Sequence, residues 1–129
     1  MVLFFLFLVQ LGPIKAYSAE WFLLNEGPSY KAYIDAESVE KDGDIISAWI
    51  RGEIKEGEKP IVSRGENVSE IAIRFQTKIS AKKSRYVVVI YYDDDHRVIS
   101  SKSSYNAVFF DDVSGSVGAS WAEFLRETF

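Results

Sequence analysis

Beyond position 18 the chain settles into short segments in which apolar and polar residues alternate, and only the last segment changes period. Alternation sends successive side chains to opposite sides of an extended backbone, so each such segment predicts a strand with one buried side. Residues 21–24 and 30–34 are the first two, parted by the turn Asn25-Glu26-Gly27-Pro28. Asp35 then stands where its carboxylate can cap a short helical turn by accepting from the amides two and three residues on. Asp42-Gly43 predicts a tight reversal with positive φ. Over residues 44–55, Ile46, Ala48, Ile50 and Ile54 share one face, while Ser47, Trp49, Arg51 and Glu53 share the other.

Residues 57–68 turn to Gly, Glu, Lys, Pro and Ser and are expected to form the longest mobile connection. Strand pattern then returns: Ile71, Ile73, Phe75, Thr77 and Ile79 project to one side, with Ala72, Arg74, Gln76 and Lys78 on the other. A slip of one residue would put four large apolar groups in water, so the register is strongly specified. The run RYVVVIYY at 85–92 is nearly continuous in apolar residues, which predicts a central strand covered on both faces. Asp93-Asp94-Asp95-His96 reverses the chain into residues 97–103, and 107–110 adds a further extended piece. In the tail, Val117, Trp121, Phe124, Leu125 and Phe129 fall on one stripe of a helix. Gly115-Ser116 and the Ser120/Glu123 pair, which has capping-box spacing, compete to start it. Strands first and a helix last predict an α+β domain: an antiparallel sheet of about six strands with a C-terminal α-helix packed on one face.

Before position 18 the pattern is different, with thirteen apolar residues among the first eighteen of 129. The core of this segment, VLFFLFLVQL at positions 2–11, is about the length of a signal-peptide core and shorter than the roughly 20 residues of a membrane-spanning helix. Gly12 and Pro13 interrupt it, and Ala16 and Ser18 supply the small residues that flank a cleavage site, with a cut after Ala19 the near alternative. No Lys or Arg precedes the run; the first basic residue is Lys15. The expectation is a signal peptide at 1–18 and one exported domain at 19–129, at the cell surface or in the periplasm. A buried N-terminal strand or an uncleaved anchor is the alternative. A domain of that length buries roughly two-thirds of its unfolded surface and can fold without staples.

Charge and composition narrow the chemistry. Removing residues 1–18 takes Lys15 and no acid, moving the formal net charge from −4 to −5. An acidic domain is a poor nucleic-acid binder, because neutralising phosphates needs a clustered excess of Lys and Arg. With no Cys there is no thiol nucleophile, disulfide or Cys-based zinc site, and one His, His96, makes no multi-histidine centre. No cofactor, metal site or catalytic residue is expected.

The one basic concentration runs from Lys78 to Arg85, and Lys78, Lys82, Lys83 and Arg85 at the expected hairpin tip are the candidate ligand-binding residues. They could hold an acidic protein, a heparin-like polymer or an anionic surface; equally, they could solvate a turn and guard strand edges. Asp93-Asp94-Asp95-His96 offers oxygen and imidazole ligands without calcium-loop spacing and reads as a hairpin turn. His96 beside an aspartate invites a triad, but no nucleophile elbow accompanies it. Asp111-Asp112 reads as a lead-in to the helix, since neighbours on an extended chain diverge. Trp49, Tyr91 and Tyr105 are either a binding face or sheet cover, and Asn67-Val68-Ser69 matches a glycosylation sequon. A sheet face that one helix leaves uncovered would suit a homodimer.

Taken in order, Trp21, Tyr33-Ile34-Asp35-Ala36-Glu37-Ser38-Val39, Asp42-Gly43, Trp49, Arg85-Tyr86 and Gly115-Ser116-Val117-Gly118 resemble the bacterial surface-adhesin family typified by protein E. The likeness spans nearly the whole of 19–129. It implies a small exported, non-catalytic binding protein that recognises extracellular or host matrix proteins and can dimerise. It also implies a disulfide between a central strand and the last helix; this chain has Thr77 at the first position and a residue near Arg126 at the second. The alternatives are an envelope accessory protein with no external ligand and a small secreted hydrolase using His96.

Overall fold

The computed structural model describes residues 20–55 and 61–129; the expected signal peptide and the start of the expected mobile connection lie outside the described residues. Six long strands carry the domain: β1 (Trp21–Glu26), β2 (Tyr30–Asp35), β4 (Ile45–Ile54), β7 (Glu70–Lys78), β8 (Lys83–Tyr92) and β9 (Val98–Ser103). Four short ones complete the set: β3 (Glu40–Asp42), β5 (Ile61–Ser63), β6 (Glu66–Val68) and β10 (Phe110–Asp111). The main sheet is antiparallel in the order β1-β2-β4-β7-β8, with β9 and β10 sharing the outer side of β8 and β3 pairing with β4. One helix, α1 (Val117–Thr128), follows the last strand and lies against β7, as the order of patterns predicts.

Local signals explain most boundaries. Asp35 Oδ1 accepts from the Glu37 amide at 3.0 Å and caps a 3₁₀ turn, Ala36–Ser38. Gly43 takes φ 60° in the reversal into β4. Ser116, rather than Ser120, caps α1, its Oγ accepting from the Ala119 amide at 3.2 Å. The Ser120 hydroxyl instead donates to the Val117 carbonyl and accepts from Asn25 Nδ2.

The connection expected over 57–68 is in part a hairpin. Arg64 and Gly65 both have positive φ, the conformation that lets a two-residue turn follow the twist of its strands, and β5 pairs with β6 across it. A second difference concerns β8. Its partners flank it at both edges, but a register shift opposite Arg74 and Phe75 inserts Val87 as an extra, fully buried residue and leaves Tyr86, opposite Phe75, partly exposed.

The core lies on one side of the sheet, between β2, β4, β7 and α1. Ala32, Ile34, Ile46, Ala48, Ile50 and Phe75 meet Trp121, Ala122 and Leu125 there. Trp121 stands edge-on to Phe75 with ring centroids 5.6 Å apart, and its Nε1 donates to Asn25 Oδ1 at 3.3 Å. The hairpin β5–β6 rests over the same side, where Ser63 bonds to Ser100 of β9 at 3.0 Å.

A polar network fastens the far end of α1. Arg126 Nη1 donates to Thr77 Oγ1 at 2.8 Å and Nη2 to Asp112 Oδ2 at 3.2 Å. Ser84 Oγ reaches Asp112 Oδ1 at 2.6 Å and Thr77 Oγ1 at 3.0 Å. The Asp112 side chain is only 4% exposed, so this is a buried ion pair with both carboxylate oxygens hydrogen-bonded rather than a solvated lead-in to the helix.

Candidate functional site

Among the described residues the opposite side of the sheet carries no helix, and strand register assembles what stands on it. Arg51 of β4 is opposite Ala72 of β7, which is opposite Ile90 of β8. Trp49 is opposite Arg74, and Glu70 is opposite Tyr92. Trp21 on β1 and Tyr33 on β2 flank Arg51 from the other side, placing its guanidinium 4.7 Å from the Trp21 ring and 4.9 Å from the Tyr33 ring. Glu53 holds the outer edge of that guanidinium at 3.3 Å. Cation–π contacts of this kind contribute about 0.5–1 kcal/mol each at partly exposed sites. Arg51 Nε is buried without a hydrogen-bond partner among the described residues, so the sandwich is held by stacking and charge more than by directional bonds.

Ala72 is the smallest side chain in this layer, and above it the face sinks into an open hollow of about 550 Å³. Trp49 and Tyr92 stand as its walls and Ile90 lies beside Ala72 in its floor, while Asp35, Glu37 and Glu70 reach its rim. His96, at φ 61° in the turn after β8, stacks on Tyr92 with centroids 4.7 Å apart and lies 3.5 Å from Glu70. Partial burial raises the Tyr92 phenol above its ordinary range, and the Glu70 carboxylate adds to the shift.

The candidate basic residues do not form one cluster. Lys78 and Arg85 share the Phe109 ring, at 4.9 Å and 4.4 Å, on the helix-free side. Arg85 also donates to Gln76 Oε1 and to the Ala107 carbonyl, both at 2.8 Å. Lys83 pairs with Asp111 at 3.0 Å. Lys82 is exposed and borders a polar groove of about 680 Å³ beside α1, next to Asp112 and Arg126. Three of the four residues are thus engaged within the fold. Of the three aromatics singled out by sequence, Trp49 is on the helix-free face, Tyr91 pairs with Ile71 on the core side, and Tyr105 stands exposed in a loop.

Asp93, Asp94 and Asp95 bring carboxylates within 4.8 Å of one another. Asp93 Oδ1 already accepts from the amides of Asp95 and Arg97, and Asp95 pairs with Arg97 at 2.8 Å, which is the bonding of a hairpin turn. Among the described residues no serine or threonine hydroxyl hydrogen-bonds to His96, and its side chain is 69% exposed. No helix among the described residues is long and apolar enough to cross a membrane.

The Trp21–Arg51–Tyr33 stack and the hollow were missed in the sequence. The signal was present in part: Trp49 and Arg51 were on the polar face of one strand and Ala72 and Arg74 on the polar face of another. Only their register and the placement of β1 bring them together. No protein-family model, curated protein or solved structure matches this chain.

Proposed function

We propose that the chain is an exported, non-catalytic binding module of the surface-adhesin type, and that the helix-free face of its sheet is the surface that recognises an extracellular protein. The observation that carries this reading is the hollow over Ala72 with its aromatic walls. Five strands position those side chains through backbone register, so the surface is preformed, and ordering it consumes little binding free energy. Tyr and Trp supply wide contact area with few rotors, which is what recognition surfaces select.

The contact between Thr77 and Arg126 supports the resemblance to protein E-like adhesins. The resemblance implies a disulfide from Thr77 to a residue near Arg126, and here Thr77 and Arg126 meet in the network around Asp112. Ion pairing and hydrogen bonds then tie the helix to the central strand where a covalent link would otherwise do so.

Two measurements test the reading. Protease added to intact cells should degrade the protein if it is displayed outside; protection would favour an envelope accessory protein with no external ligand. Immobilised extracellular matrix proteins should capture the purified protein, and Ala72→Trp, which fills the hollow, should abolish capture. Undiminished capture by a folded Ala72→Trp protein sinks the assignment of this face.

A further inference from the structure

We propose that the hollow over Ala72 receives a basic side chain, Lys or Arg, presented by the partner protein; this rests on the reading of the helix-free face as the recognition surface. The protein's own cations show how that face treats positive charge. Arg51 lies between two aromatic rings with Glu53 at its edge. Arg74 pairs with Glu40 at 2.9 Å and stands 6.0 Å from the Trp49 ring, and Arg85 and Lys78 share Phe109. Each of these positions joins a cation to an aromatic ring, and two of them add a carboxylate.

Along β7 the residues on this side are Glu70, Ala72, Arg74, Gln76 and Lys78. At position 72 a methyl group stands where a longer side chain would fill the space, so the same kind of surroundings is left open. Trp49 and Tyr92 offer rings, Ile90 offers an apolar wall, and Asp35, Glu37 and Glu70 offer carboxylates at the rim. A Lys or Arg has the complementary form: an apolar stem that packs on rings and a charged head that seeks carboxylates and π-faces.

Charge decides between candidate guests. Three carboxylates line the hollow against one guanidinium and the His96 imidazole; the guanidinium is already held by Trp21, Tyr33 and Glu53, and His96 stacks on Tyr92 beside Glu70 at the edge. A sulfated or phosphorylated polymer would meet net repulsion here. A neutral sugar could stack on the rings but would leave the carboxylates without a counter-charge. The basic residues Lys78 and Arg85 lie towards the opposite end of β7, so the face is polarised along its strands, with the hollow at the acidic end.

The test titrates the purified protein with an arginine tetrapeptide, Nα-acetyl-arginine amide and methyl glucoside, read by NMR shifts of the Trp49 and Trp21 indoles and by calorimetry. The arginine probes should bind, with affinity falling as salt rises. Glu70→Gln should weaken tetrapeptide binding about three- to tenfold, and Ala72→Trp should remove it. Ala72→Leu is the second, gentler filling variant, and circular dichroism verifies that both fold. No indole shift with the arginine probes, a glucoside that binds in their place, or Glu70→Gln binding undiminished would overturn the basic guest. If Ala72→Trp abolishes capture of matrix proteins while the arginine probes do nothing, the recognition face stands and the basic guest falls. If capture survives Ala72→Trp, the recognition face itself falls.

Discussion

The two faces of the sheet use the same strands for opposite ends. On the core side the positions under α1 are filled: Ala32, Ala48 and Ala122 are fully buried against Ile50, Phe75 and Leu125, and the space left there, about 310 Å³ between α1 and the β5–β6 hairpin, is lined by apolar Ile54, Ile61, Ile71 and Ile73. On the other side Ala72 has nothing packed over it among the described residues and leaves a hollow among half-buried rings and ion pairs. Alanine therefore means close packing on one face and an opening on the other. The polar groups differ likewise. Asp112 and Arg126 are paired in a buried network, whereas Arg51 is held chiefly by rings and a half-exposed carboxylate.

The sharpest way to break this comparison is at Arg126. Arg126→Met should leave Asp112 buried and unpaired, lowering stability by about 3–5 kcal/mol in urea unfolding, and adding Asp112→Asn should recover part of the loss. A matched pair of enlargements comes next. Ala122→Leu should destabilise by about 1–3 kcal/mol because the core has no room, while Ala72→Leu should change stability by less than about 0.5 kcal/mol. Equal losses would show that the hollow is not open. Ser116→Ala should cost about 1 kcal/mol by removing the helix cap.

The smallest effect is alkaline. Burial raises the phenols of Tyr86 on the core side and Tyr92 on the open side, with Asp112 and Glu70 contributing respectively. The folded state thus favours the neutral phenol, and its contribution is fully present below the unfolded value of about 10 and lost as pH climbs through the raised folded value. Both groups are partly exposed, so solvent screening holds the effect to about a few tenths of a kcal/mol. Spectrophotometric titration should find Tyr92 ionising earlier in Glu70→Gln, with Tyr86 unmoved.

The long elements were legible because each depends on its own period. The alternation through 44–55 and 71–79 fixed which side of β4 and β7 faces the core, and the stripe from Val117 to Phe129 located α1. Strands of two or three residues are too short to show a period, so β3, β5 and β6 emerge only from their pairing, and β10 (Phe110–Asp111) meets the extended piece expected at 107–110 only at Phe110. Ala122 was missed as a core residue because a lone alanine carries almost no hydrophobic signal until a helix presses it against a sheet. The basic run at 78–85 looked like one patch in sequence because proximity along the chain is visible there, whereas partners from elsewhere, Phe109, Asp111 and Ala107, are not.

By itself the sequence determined the class of fold, the core side of β4 and β7 and the closing helix, since these follow from local periodicity and from burial of apolar surface. Tertiary structure alone decided the candidate site. Arg51 acquires its meaning from Trp21 and Tyr33 on two other strands, and Ala72 becomes a hollow only because β4 and β8 set taller side chains beside it. A surface of this kind is made by register between strands, which is a relation among distant segments and leaves no period in any one of them.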